Sequence, residues 1–261
     1  MKKYELTAEF IEKWGKKLFR IKALISFGSV EVGELGGYVE KEDNLAQDGN
    51  AWVYGNAEVY GNAEVCDNAR VYGNAWVCDN ARVYGNARVC DNVMVYGNAW
   101  VCDNVMVYGD ARVCDNVMVY GNARVCDDAW VYGDARVYGD ARVCDNARVY
   151  GNAWVCDNAR VYGNAWVYGN AWVCDNADYL LIGRIGSRFS FTTFFKNKDK
   201  GITVSCGCFL GTIAEFRAKV TDTHGNNKHA KIYNLAADMA ELQILGEEHF
   251  DKLNTNKSEP F

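Results

Sequence analysis

Valine recurs at every sixth residue from Val53 to Val173, 21 times without a slip in register. A period this short and this strict admits few folds. Each phrase reads Val (position 1), Tyr or Cys (2), Gly or Asp (3), Asn or Asp (4), Ala (5) and a variable residue (6). Valine is β-branched and stiff at χ1, which suits a strand. Position 5 lies two residues before the next valine, so in an extended chain both point to the same side, while positions 6 and 2 point to the other. Glycine, asparagine and aspartate at positions 3 and 4 tolerate positive φ and turn the chain. Each phrase is therefore a short strand plus a corner. Such a strand has no face that it can bury alone, but stacked copies pair their backbones and close a common core. Proline, which would interrupt the ladders, occurs once, at Pro260.

An aliphatic residue with a small residue two before it, repeated every six, resembles the hexapeptide-repeat, left-handed parallel β-helix family. The resemblance covers about half the chain. It implies a mainly β fold, a triangular prism with three phrases per turn, and left-handed winding. The 21 phrases then make about seven coils, a column roughly 34 Å long at ~4.8 Å per coil. Three phrases per turn stack residues eighteen apart. Position 6 on the first face reads Trp52, Arg70, Arg88, Met106, Arg124, Arg142, Arg160, an arginine ladder. The other two faces mix arginine with tryptophan, where guanidinium–ring stacking is expected. Val93, Val105 and Val117 replace the inward alanine, one on each face, and read as a local swelling of the core.

The formal net charge of −6 argues against a general nucleic-acid binder. Aspartates at positions 3 and 4 flank the arginine ladder, so the expectation is local neutralisation and a solvated, salt-bridged face; contact with an anionic polymer or a membrane is the alternative. Of 11 cysteines, nine occupy position 2 between Cys66 and Cys174. On one face, only Cys126/Cys144 and Cys156/Cys174 are one coil apart. That is a poor disulfide framework, and no signal peptide or long apolar run accompanies it. The expectation is a cytoplasmic protein with free thiols; a stacked metal–thiolate array is the alternative.

Composition divides the chain into an N-terminal cap at 1–46, a solenoid at 47–178, a small α+β module at 179–246 and a loose tail at 247–261. In the cap, Phe10, Ile11 and Trp14 predict a helix over Leu6–Lys17, followed by a strand over Lys17–Leu24. Leu45 takes an alanine slot in the first coil. A solenoid end exposes unpaired edges and an open prism, so a dissimilar cap is expected. The runs Leu18-Phe-Arg-Ile-Lys-Ala-Leu24 and Leu35-Gly-Gly-Tyr-Val-Glu40 resemble the leader of prophage-encoded hexapeptide-repeat proteins often labelled acyltransferases. In the module, Tyr179–Ile185, Phe189–Phe195 and Ile202–Phe209 predict three strands. Thr212-Ile-Ala-Glu215 is a capping box opening a helix to about Thr221, and a second helix spans Lys228–Leu245.

The module carries the most varied chemistry. Cys206-Gly-Cys208 reads as two thiols on one face of a strand, and His224 and His229 flank a glycine-rich turn beside Lys228. Two cysteines with two histidines satisfy a zinc ligand count, so Cys206 and Cys208 are candidate metal ligands. Strand cysteines and turn-capping histidines are the plainer reading. The third is an anion or nucleotide pocket built from Arg188, His224, Lys228 and His229 near the start of the second helix, where backbone N–H groups favour phosphate. The segment from Ser187 to Ala230 resembles a small domain of phage and prophage proteins.

Three functions compete. The hexapeptide resemblance implies CoA-dependent acyl transfer, which generally uses a histidine base near the coils; the repeats contain no histidine and no loop excursion. Stacked coils could also join end to end as a structural polymer or scaffold, which dissimilar ends oppose. The preferred expectation is a non-catalytic binding protein without a cofactor. Its C-terminal module recognises a small anionic, nucleotide-like ligand or a host factor, as a counter to host defence. No catalytic residue, general nucleic-acid binding or membrane contact is expected. A homo-oligomer is, with a trimer implied by the family resemblance.

Overall fold

The computed structural model describes residues 1–247; most of the tail expected at 247–261, with Pro260, lies outside the described residues. Strands β1 (Tyr4–Lys13), β2 (Lys16–Ala23) and β3 (Leu35–Val39) precede 21 two-residue strands, β4 (Trp52–Val53) to β24 (Trp172–Val173). Strands β25 (Tyr179–Ile185), β26 (Ser190–Lys196), β27 (Ile202–Cys206) and β28 (Phe209–Thr212) follow, then helices α1 (Ile213–His224) and α2 (Lys228–Leu245).

The repeat is a parallel β-solenoid. Each of three faces stacks seven of the two-residue strands, in steps of three along the chain. Position-1 valines and position-5 alanines, with Val93, Val105 and Val117, fill one continuous core. Register is residue-perfect: Arg88 pairs with Met106 and Val89 with Val107. Corners follow the sequence reading. Position-3 aspartates from Asp67 to Asp157 hold φ between 51° and 65°, the left-handed region. Position-4 amides form ladders from coil to coil, as where Asn86 Nδ2 donates to Asn104 Oδ1 at 3.0 Å.

The parallel coils begin before β4. Val39 pairs with Val59, and Leu45 bridges Val65. Leu45 therefore fills a valine slot, not an alanine slot. The slip arises because Ala46 N donates to Val65 O while Asn50 N donates to Asp67 O. Those two positions lie four residues apart here and two apart in later coils, as at Tyr60 and Asn62, so Gln47 and Asp48 are a corner insertion.

The helix predicted over Leu6–Lys17 is instead the strand β1, in a hairpin with β2. Leu6 pairs with Ile21 and Phe10 with Phe19, so β1 carries two extra residues in between. That bulge produces the four-residue apolar spacing that mimics a helix. Trp14 and Gly15, at φ 49° and 75°, make the two-residue turn. The strand expected over Lys17–Leu24 is β2.

This hairpin closes the prism. Trp52 occupies position 6, outward-facing in later coils, yet is fully buried, with the rings of Tyr4 and Phe27 at 6.0 and 5.4 Å. Lys3 Nζ donates to the carbonyls of Asp48 and Ala51, both at 3.0 Å, and lies 5.0 Å from the Phe27 ring centroid. Burial pulls the Lys3 ammonium down to about 8, with Asp48 partly opposing. Below pH 8 the folded and unfolded chains both carry this charge. Between there and the ordinary value of 10.5 the unfolded chain binds more protons, so this group makes stability rise with pH. The wild-type minus Lys3→Met difference in unfolding free energy should therefore grow by roughly 1–2 kcal/mol between pH 8 and pH 10. Urea denaturation at the two pH values reads it; a flat or shrinking difference would contradict a charged, buried Lys3.

At the other end β26 lies against the last coils. Phe195 joins the prism core, Ala171 bridges Asn197, and Trp166 N donates to Thr193 Oγ1 at 3.2 Å. The module is a four-stranded antiparallel sheet in the order β25-β26-β27-β28, packed with α1 and α2. Three strands were expected. The third divides because Gly207, at φ 61°, and Cys208 form a tight turn pairing Cys206 with Phe209. Arg217 holds the helices together, donating to Asp238 and Glu241 at 2.7 Å each. No helix among the described residues is long and apolar enough to cross a membrane.

Two expectations about side chains need correction. Arginine neutralisation is the first. Among the described residues, the one ion pair formed by a repeat arginine is Arg82–Glu64, at 3.5 Å. Position-3 aspartates instead accept from the backbone of the next coil, as where Asp103 Oδ2 takes the Gly121 N–H at 3.0 Å. Corner hydrogen bonding thus consumes the carboxylates that proximity in sequence would assign to arginine. The second correction concerns the thiols. Cys126–Cys144 and Cys156–Cys174 are disulfide-paired, with Cα atoms 4.7 and 4.3 Å apart, and the other seven cysteines are free. Position 2 alternates Tyr and Cys except where tyrosine is doubled, at Tyr54/Tyr60, Tyr132/Tyr138 and Tyr162/Tyr168. Residues eighteen apart are therefore unlike where the alternation holds and alike where they span a doubling, as at Cys126/Cys144 and Cys156/Cys174. Tyr150 and Tyr168 stack with centroids 4.5 Å apart.

Candidate functional site

The module contains a cavity of about 210 Å³ between the β27–β28 turn, the β25–β26 turn and the facing sides of α1 and α2. Its polar lining includes Arg188, Lys219 and His224; its apolar lining includes Phe209, Phe216 and Tyr233. Each comes from a different local device. The β25–β26 turn delivers Arg188 after Gly186, whose φ is 71°. A Cβ at Gly186 would overlap the Tyr233 phenol, so glycine lets the turn approach α2. Thr212 opens α1 with the expected capping box: Thr212 N donates to Glu215 Oε2 at 2.7 Å and Glu215 N to Thr212 Oγ1 at 3.3 Å. The helix runs on to His224, beyond the expected end at Thr221, and ends at Gly225. That extra length adds Thr223 and His224 to the cavity lining beside Lys219.

The walls are packed aromatic rings. Phe216 meets the rings of Phe194, Phe209 and Tyr233 within 5.7 Å. Burial pushes the Tyr233 phenol up to about 12; the nearby Cys206 adds to this and Arg188 opposes it. Tyr233 is thus a neutral hydrogen-bonding ring at ordinary pH. The His224 ring lies 5.8 Å from Tyr233 at 27°, and 5.8 Å from His229. His229 Nδ1 is buried and has no hydrogen-bond partner.

The four residues expected to bind an anion divide into three groups. Arg188 and His224 line the cavity together. His229 stands behind His224, against its ring. Lys228 is exposed at the first position of α2 and is not part of the lining. The α2 N-terminus is already capped: Asn227 Oδ1 accepts from His229 N at 2.8 Å and Ala230 N at 3.2 Å. Lys219, Phe209, Phe216 and Tyr233 were not anticipated. The i, i+5 pair Lys219/His224 becomes a signal only once α1 is extended by a turn.

The thiols do not share a strand face. Cys206 ends β27 and accepts from Thr192 Oγ1 at 3.2 Å, whereas Cys208 sits exposed in the turn. Among the described residues, the groups of three or more ligand-type side chains close enough to share an ion are Cys126–Asp127–Cys144 and Cys156–Asp157–Cys174. Cys206, Cys208, His224 and His229 do not form such a group. Along the solenoid, burial pushes the Cys78, Cys90, Cys102 and Cys114 thiols up, with neighbouring aspartates adding to it. Protonated thiols of this kind are poor metal ligands.

A family model described as YdcK Beta solenoid repeat matches residues 63–79, 75–90, 87–103, 111–127, 119–133, 129–144, 141–157, 153–169 and 159–175. The chain is thus similar to that repeat family over the coils, and the match lies wholly within the solenoid. No curated protein matches the chain.

Proposed function

We propose that this β-solenoid repeat protein is a non-catalytic binding protein whose C-terminal module takes a small anionic, nucleotide-like ligand. The observation that carries the reading is the convergence of Arg188, Lys219 and His224 with Phe209, Phe216 and Tyr233 on one cavity. Cations fork onto phosphate oxygens, and the aromatic walls offer a flat apolar surface to a ring. A volume of about 210 Å³ suits a small ligand. The solenoid is then a rigid spacer, sealed by the cap at one end and the module at the other. Cytoplasmic residence, homo-oligomer formation, recognition of a host factor and a phage-type role against host defence belong to the same reading, and rest on composition and the resemblances noted above.

The first experiment is mass spectrometry of small molecules released when the purified protein is denatured, followed by calorimetric titration with what is found. Arg188→Gln and Lys219→Gln should each weaken binding about 10- to 100-fold, the range of a lost charge-assisted hydrogen bond. Thermal stability should barely move, because both side chains are exposed. Lys228→Gln should leave affinity unchanged. Equal affinities across all four proteins would remove the cavity from consideration.

A further inference from the structure

The first face of the solenoid differs from the other two in a way that bears on ligands. There Arg124 pairs in register with Arg142, and Arg142 with Arg160. On the other faces arginine meets tryptophan: Arg148 lies 5.1 Å from the Trp130 ring and 5.0 Å from the Trp166 ring, and Arg136 lies 5.1 Å from Trp154. Like charges directly opposite one another on neighbouring strands are destabilising. Among the described residues, none of the three arginines has a carboxylate within ion-pair distance, the repeat pair being Arg82–Glu64. The adjacent aspartates are engaged elsewhere: Asp145 Oδ2 accepts from Gly163 N at 2.9 Å and Asp127 Oδ2 from Asp145 N at 3.5 Å.

The three guanidinium side chains form the floor of a trough of about 460 Å³, walled by the position-4 column with Asn122, Asp140 and Asn158. Asp140 is the one carboxylate in the lining, and its Oδ1 accepts from Asn122 Nδ2 at 3.0 Å. On the opposite side of the row, position 2 holds the Cys126–Cys144 disulfide rather than tyrosine. No ring flanks Arg124 or Arg142 in that column, and Tyr162 beside Arg160 is the first, so most of the row lacks the aromatic platform on which single-stranded nucleic acid stacks.

We propose that Arg124, Arg142 and Arg160 form an anion site, separate from the module's cavity, for a linear oligophosphate. Successive guanidiniums stand one coil apart, ~4.8 Å, so the row spans about 10 Å. A chain of phosphoryl groups laid along the solenoid axis presents charge to all three at once, with the planar fork of each arginine matching phosphate oxygens. A single phosphate meets at most two. Binding also removes the repulsion between in-register arginines, so ligand binding and coil stability are linked.

The test compares linear tripolyphosphate, orthophosphate and sodium chloride at equal ionic strength, by thermal denaturation and calorimetric titration. Tripolyphosphate should raise the melting temperature well above the other two. Arg142→Gln should weaken its binding about tenfold or more, and Asp140→Asn should tighten it by removing the opposing carboxylate. Arg112→Gln, within the tryptophan stack of another face, should bind as wild type does. Asp140→Asn keeps the test decisive should Arg142→Gln alter the fold. Stabilisation by all three salts alike, or unchanged binding in both trough variants, would overturn the proposal. So would tighter binding of a single-stranded oligonucleotide than of tripolyphosphate, which would reassign the row to nucleic acid.

Discussion

Trp52→Ala should lower the unfolding free energy by about 3–5 kcal/mol, the range for truncating a fully buried large aromatic. The same residue type at the same repeat position costs far less elsewhere: Trp172 is 41% exposed, whereas Trp52 is 0% exposed. The difference comes from the N-terminal hairpin. Tyr4 and Phe27 contact the Trp52 ring edge-on, and the Tyr4 hydroxyl donates to the carbonyls of Glu42 and Leu45, both at 2.7 Å. Removing the indole empties the junction between cap and prism. In a solenoid each coil contacts only its neighbours, so damage at an end should appear first as local opening. Hydrogen exchange should therefore speed up in β3 to β6 before β20 to β24 respond. Trp52 Nε1 has no hydrogen-bond partner, so Trp52→Phe orphans no new group and should cost under about 1.5 kcal/mol. If Trp52→Ala proves no worse than Trp172→Ala, the hairpin is not what closes the prism.

Most of the architecture was legible because the repeat states it many times over. The six-residue period names the inward residues, the corners and the eighteen-residue stacking, and the three faces emerge in the expected order. Legibility failed where a single event outweighed the pattern. The bulge between Leu6 and Phe10 turned a strand's spacing into a helix's. Two inserted residues moved Leu45 from one inward slot to the other. The doubled tyrosines at Tyr132/Tyr138 and Tyr162/Tyr168 do show in the sequence, and together they explain the two cysteine pairs and the stacked tyrosines. Arginine neutralisation failed for another reason. Proximity in sequence says which charges are near, whereas backbone N–H groups at the corners decide where the aspartates go. The cavity was half legible: Arg188 and His224 are chemically conspicuous, but Lys219 and Tyr233 join them only through the tertiary packing of two helices, which no short motif states.

Gly109→Ala should be among the most damaging small substitutions in the coils, and Gly169→Ala a mild one. Both glycines occupy position 3 with positive φ, 77° and 69°, so both substitutions incur the left-handed strain of an L side chain, roughly 1–2 kcal/mol. They differ in what lies above. A Cβ on Gly109 would stand 2.7 Å from Asp127 N and 2.8 Å from its Cα, whereas one on Gly169 meets nothing within 4 Å. Backbone cannot rotate aside as a side chain can. The coil above must lift, against the ladder bonds Asp110 N to Asp127 O at 3.0 Å and Tyr108 N to Val125 O at 3.0 Å. Overpacking of this kind adds about 1–3 kcal/mol, giving a total of about 2–5 kcal/mol for Gly109→Ala. At roughly 2–4 °C per kcal/mol for a chain of this size, the melting temperature should fall by about 5–15 °C. Gly121, which stacks under Gly139 with its nearest contact at 3.0 Å, should fall between the two. The ranking Gly109, Gly121, Gly169 tests the stacking itself, because φ alone predicts three equal losses. Equal melting temperatures for the three variants would mean that the coils part easily and that left-handed strain is the whole effect.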